Sequence, residues 1–109
     1  MIALVAQLRK MYKVVALSNT VDIHARYNEE RGLFRHFDQV YISHKIGVIK
    51  PDPRAFQFVI DDLHVLPSEC LFIDDKEENI VAARTFGMQT YHFIDTKTFE
   101  TFLQKEHLV

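Results

Sequence analysis

Leu71-Phe72-Ile73-Asp74-Asp75-Lys76-Glu77-Glu78-Asn79 runs from an apolar strand pattern straight into two adjacent carboxylates. Like charges side by side at the mouth of such a strand repel one another and resist desolvation. A pair in that position holds a cation, accepts backbone N–H bonds or caps a helix. Beyond it, Ile80, Val81, Ala83, Arg84 and Phe86 predict a short helix closed by Gly87, and Gln89 to Ile94 predicts a strand. Asp95 or Thr96 then caps a last helix with Phe99, Phe102 and Leu103 facing inward.

Working back from the pair, Pro67-Ser68-Glu69 is a turn and Pro51-Asp52-Pro53 is a helix start, with Asp52 as cap and Pro53 where no hydrogen bond is lost. That helix runs to about Leu63 on a face of Phe56, Val59, Ile60 and Leu63. Nearer the start, Ile2, Leu4, Val5, Leu8 and Met11 predict an amphipathic helix, and Lys13 to Leu17 a short strand buried on both faces and ending in Ser18-Asn19-Thr20. Residues 21 to 31 fit a helix closed by Gly32, followed by an apolar turn of Leu33, Phe34 and Phe37. Gln39 to Ser43 is the next strand, and His44 to Pro51 reads as a loop.

Strands alternating with helices predict an α/β fold, a Rossmann-like open parallel sheet of about four strands with helices on both faces and right-handed crossovers. The 109 residues read as a single domain. A net charge of -2 with scattered Lys and Arg argues against nucleic acid and anionic membrane surfaces. No apolar run reaches the ~18 residues of a spanning helix. Arg9 and Lys10 follow the apolar start instead of preceding it, unlike a secretory signal. Cys70 is the only cysteine, so an internal disulfide is excluded and the cytoplasm is the expected location. The six histidines show no zinc-binding spacing.

Ligands of such folds sit beyond the carboxyl ends of the strands. Ser18, Lys50 and the Asp74-Asp75 pair all fall there. A hydroxyl with the N–H groups of Asn19 and Thr20 suits phosphoryl oxygens, an ammonium neutralises their charge, and carboxylates ligate Mg2+. The plainer alternatives are Ser18 as a helix cap, Lys50 as a solvated loop lysine, and Asp74 and Asp75 as cap and macrodipole partners worth about 0.3–1 kcal/mol per charge. Asn79 reads more readily as structural than as functional.

Three segments together resemble the haloacid dehalogenase-like (HAD) hydrolase superfamily. They are Leu17-Ser18-Asn19-Thr20, Gly47-Val48-Ile49-Lys50-Pro51-Asp52-Pro53 with its helix, and Phe72-Ile73-Asp74-Asp75 with Asn79 and an Ala-Ala helix to Gly87-Met88. The resemblance implies that Ser18, Asn19 and Lys50 bind a phosphoryl group, that Asp74 and Asp75 bind Mg2+, and that Asn79 stands just outside the metal's own ligands. It implies a phosphatase of small phosphate esters, with a phosphorylated metabolite or inorganic phosphate as ligand.

The family's first motif, D-x-D-x-T or a close variant, carries its nucleophilic aspartate, and no such segment occurs in these residues. Asp22, Asp38 and Asp52 do not follow an apolar strand and are no substitutes. The expectation is therefore a truncated, partial core domain over residues 1–109, without the family's first strand or cap domain, and with Mg2+ held weakly or not at all. It would be impaired or inactive as a hydrolase. The alternative is a non-catalytic fragment or pseudoenzyme acting in binding or assembly. Without that first strand, the Val14–Leu17 and Leu71–Asp74 strands are expected to pair directly, or to recruit another chain in a homo-oligomer.

Overall fold

The computed structural model describes residues 2–18 and 36–108. The expected helix over 21–31, its Gly32 cap and the Leu33-Phe34 part of the apolar turn lie outside the described residues, as does Asn19. The chain divides into two compact units, Met1–Lys45 with Asp95–Val109, and Ile46–Ile94.

In the first unit, helix α1 (Ile2–Arg9) buries Leu4 and Val5. Strands β1 (Val15–Ser18) and β2 (Gln39–Ile42) pair in parallel, from Val15 opposite Gln39 to Ser18 opposite Ile42. The Asp38 carboxylate organises their entry. It accepts the Val14 N–H at 2.7 Å and the Arg9 Nε at 3.1 Å, while the Asp38 N–H donates to the Val14 carbonyl at 2.7 Å. With the Val14 N–H taken by that side chain, the regular ladder starts at Val15, two residues later than the sequence pattern suggests. Downstream, the helix Thr96–Lys105 is capped by Asp95, whose carboxylate accepts the Thr98 N–H at 2.7 Å, and buries Phe99 and Leu103.

A single helical turn, α2 (Ser43–Ile46), follows β2 where the end of the strand at Ser43 and a loop from His44 are expected. Ser43 is buried, and Gly47 ends the turn at a φ of 83°, in the left-handed region that glycine occupies without a steric penalty.

The second unit holds the longest uninterrupted agreement with the sequence pattern. Helix α3 (Pro53–Leu63) begins at an Asp52 cap that accepts the Arg54 N–H at 2.9 Å, with Pro53 at the first helical position. Ala55, Phe56, Val59 and Ile60 are its buried face. A short 3-10 turn, Pro67–Glu69, leads into β3 (Leu71–Asp74), helix α4 (Glu77–Phe86) and β4 (Gln89–His92). Strands β3 and β4 are parallel, Leu71 opposite Gln89 and Asp74 opposite His92. Helix α4 packs on both strands and on α3, and Ile80 and Ala83 are buried there. Gly87 closes it at a φ of 109°, with the Gly87 and Met88 N–H groups bonding the Arg84 and Ala83 carbonyls. The helix from Thr96 to Lys105 completes the order as α5.

Among the described residues β1 pairs with β2 and β3 with β4. Two expectations about the strands need correction. The first strand is not buried on both faces. All four residues of β1 are only half-buried, and among the described residues β1 has a ladder neighbour, β2, on one edge. Strand β4 ends at His92 and not Ile94, since β3 stops at Asp74 and its last carbonyl is used by the Phe93 N–H at 2.8 Å.

Candidate functional site

Asp74 sits where an apolar strand delivers it, at the carboxyl end of β3, with its side chain only 7% exposed. A carboxylate so placed needs partners for its charge, and the described residues supply them. Lys50, from the loop before α3, donates from Nζ to Oδ2 at 2.7 Å, with its own side chain 12% exposed. Asn79, in the first turn of α4 and 3% exposed, donates from Nδ2 to the same oxygen at 3.2 Å. The Lys76 N–H reaches Oδ1 at 3.0 Å.

Local sequence explains each placement. The Lys50–Pro51 peptide is cis, and Pro51-Asp52-Pro53 starts α3 directly behind Lys50. The ammonium lies 5.6 Å from the centroid of the Phe72 ring, which gives it an apolar and electrostatically favourable floor. Asn79 is the third helical residue of α4, so its side chain points back toward the strand end. Lys76, the residue at the cap position, makes no side-chain cap bond. Asp74 thus acts less as an ordinary helix cap than as the hub of a charged cluster.

Burial works to raise the Asp74 pKa, but the Lys50 ammonium, the Lys76 N–H and the Asp75 side chain outweigh it and hold the carboxyl below its ordinary value. The group is a carboxylate at neutral pH. Cys70 goes the other way. Burial, then the Glu69 carboxylate, pushes its thiol up, so it is no ready nucleophile.

The second unit therefore brings together Lys50, Asp74 and Asn79, with Asp75 next in the chain. Ser18 ends β1 in the first unit, and Asn19 lies outside the described residues. His92 is a neighbour that motif reading passes over. Its Nε2 bonds the Asp75 carbonyl at 2.9 Å. The signal was in the strand pattern, because parallel pairing sets His92 opposite Asp74.

Residues 1–87 match the family model of the haloacid dehalogenase-like hydrolases. The chain belongs to that family. It is 38% identical over 91 residues to the D-ribitol-5-phosphate phosphatase of Bacteroides thetaiotaomicron, an alignment covering 77% of this chain and 44% of that enzyme. A HAD-like hydrolase from Porphyromonas gingivalis superposes with a TM-score of 0.85 at 28% identity, over 97% of this chain and 55% of the other. A HAD enzyme of B. thetaiotaomicron in complex with magnesium and inorganic phosphate superposes at 0.80 with 32% identity, over 89% and 54%. The fold class is thus the Rossmann-like α/β class of HAD enzymes. The chain spans about half the length of these relatives.

Magnesium in a HAD site can be tested against the residues here. Among the described residues no three His, Cys, Asp or Glu side chains gather into a metal cage. Mg2+ does not need one, since one or two carboxylates with water and phosphate oxygens suffice. Asp74 Oδ1 accepts the Lys76 N–H, and a carboxylate oxygen has a second acceptor site that a cation can use, with the Asp75 carboxylate next in the chain. The donor set fits. Among the described residues no helix is long and apolar enough to cross a membrane.

Proposed function

We propose that this chain supplies the phosphate- and magnesium-holding half of a HAD phosphatase site acting on a small phosphate ester. One observation carries the reading. A buried Lys50–Asp74 pair at 2.7 Å, braced by Asn79, stands at the carboxyl end of a parallel strand in a chain of this family. On a surface such a pair would be incidental; here two side chains nearly removed from water converge on one carboxylate oxygen.

In this reading Lys50 neutralises charge on the phosphoryl group. Asp74 holds Lys50 in position, and Asp74 and Asp75 would hold Mg2+. Bound there, the ion would withdraw charge from a phosphoryl oxygen and orient it. Asn79 fixes the plane of the Asp74 carboxylate. The 109 residues contain no D-x-D-x-T segment, so the reading places the aspartyl nucleophile outside them. It treats residues 1–109 as one partial core domain, and the cytoplasm as its location, on the strength of the lone Cys70.

The test is calorimetric binding of inorganic phosphate with and without Mg2+. The chain should bind phosphate in a Mg2+-dependent way, and Lys50→Ala or Asp74→Ala should weaken binding at least about tenfold, the loss of a charged partner. Phosphate affinity indifferent to Mg2+ and to both substitutions would overturn the proposal and favour a role in binding or assembly alone.

A further inference from the structure

The peptide group between Asp75 and Lys76 is held at both ends. Its carbonyl, Asp75 O, meets His92 Nε2 at 2.9 Å, and its N–H, on Lys76, donates to Asp74 Oδ1 at 3.0 Å. A carbonyl only accepts, so Nε2 is the protonated ring nitrogen in this contact. The geometry points to His92 as a positioning residue for the acidic pair, a role that rests on the magnesium reading of Asp74 and Asp75.

The strand pattern shows why a side chain is needed at this point. The β3–β4 ladder ends with the Phe93 N–H donating to the Asp74 carbonyl at 2.8 Å. One residue further on, β3 has become the turn into α4, and β4 has ended at His92. The Asp75 carbonyl therefore lies just past the backbone ladder. The His92 ring, opposite Asp74 in register, takes it instead.

Because one planar peptide carries both bonds, they are coupled. Rotation of that plane breaks the His92 contact and pulls the Lys76 N–H away from Asp74 Oδ1 together. With the plane fixed, the Asp74 carboxylate keeps its orientation, one oxygen toward Lys76 N–H and the other toward Lys50 and Asn79. The same plane sets the backbone angle from which the Asp75 side chain departs. His92 touches neither carboxylate in this arrangement; it acts through the backbone between them. Partners of this outer kind tune a metal's affinity without ligating it.

The experiment follows Mg2+ binding to the 109-residue chain by amide chemical shifts of residues 74–79, for the wild type and for His92→Leu, His92→Gln and His92→Asn. Gln places an amide N–H near the position of Nε2, whereas Asn carries the same group one methylene short. His92 is exposed, so the expected effect is modest, a three- to tenfold loss of Mg2+ affinity in His92→Leu and His92→Asn with recovery in His92→Gln. Without metal, the Lys76 amide should exchange with solvent faster in the Leu and Asn variants, and at the wild-type rate in the Gln variant. Mg2+ affinity equal in all four proteins would overturn the role of His92 while leaving the metal site standing. A wild type that shows no Mg2+-dependent shifts would overturn both.

Discussion

Lys50 and Asp74 show what a single pair can and cannot settle. Twenty-four positions apart, they meet at 2.7 Å on a site floored by Phe72. The Asp74 pKa lies below its ordinary value, so the stability it contributes is whole above the unfolded-state value of about 3.9 and is lost as the pH falls through its folded value. Asp38, held first by the Val14 N–H, Asp52, held by Arg54, and Asp95, held by the Thr98 N–H, shift in the same direction. Denaturant unfolding between pH 7 and pH 3 should therefore find the wild type steady down to about pH 5 and weakening below about pH 4. Asp74→Asn should be less stable at pH 7, and its deficit should shrink as the wild-type carboxylate is protonated. A deficit that stays constant to pH 3 would mean that the Asp74 charge contributes nothing.

At the level of elements, α3 and α4 form around one aromatic side chain. Phe56, 1% exposed, meets Phe72 of β3 edge-on at 5.2 Å and Phe86 of α4 at 5.9 Å. Truncating it leaves a cavity beneath strand and helix together, and Phe56→Ala should cost about 3–5 kcal/mol in denaturant unfolding. A loss below about 1 kcal/mol would show that these elements pack without it. Elements of this kind were legible in advance. Asp52-Pro53 and Gly87 are strong local punctuation, and the spacing of Phe56, Val59 and Ile60 gave the buried face of α3. What escaped depends on partners distant in sequence. The ladder begins at Val15 because Asp38, 24 residues from Val14, takes its N–H. His92 became visible only once parallel register set it opposite Asp74. That Lys50 and Asp74 fall at the same strand ends was legible through the order of the motifs, while their direct pairing and its bracing by Asn79 and the Lys76 N–H needed coordinates.

For the whole molecule, family membership and half-length set the terms. The match over residues 1–87 and the likeness to HAD enzymes fix the class of fold, and relatives that include a phosphatase and a complex with magnesium and phosphate set the chemistry to be tried first. A phosphate-holding half-site without an aspartyl nucleophile of its own is the central claim. It is tested most directly by a crystal structure of the chain grown with Mg2+ and inorganic phosphate. The account predicts a phosphate oxygen within hydrogen-bonding reach of Lys50 Nζ, and Mg2+ on an oxygen of Asp74 or Asp75. Full occupancy of both ligands elsewhere on the molecule, with nothing beside Lys50 and Asp74, would contradict it.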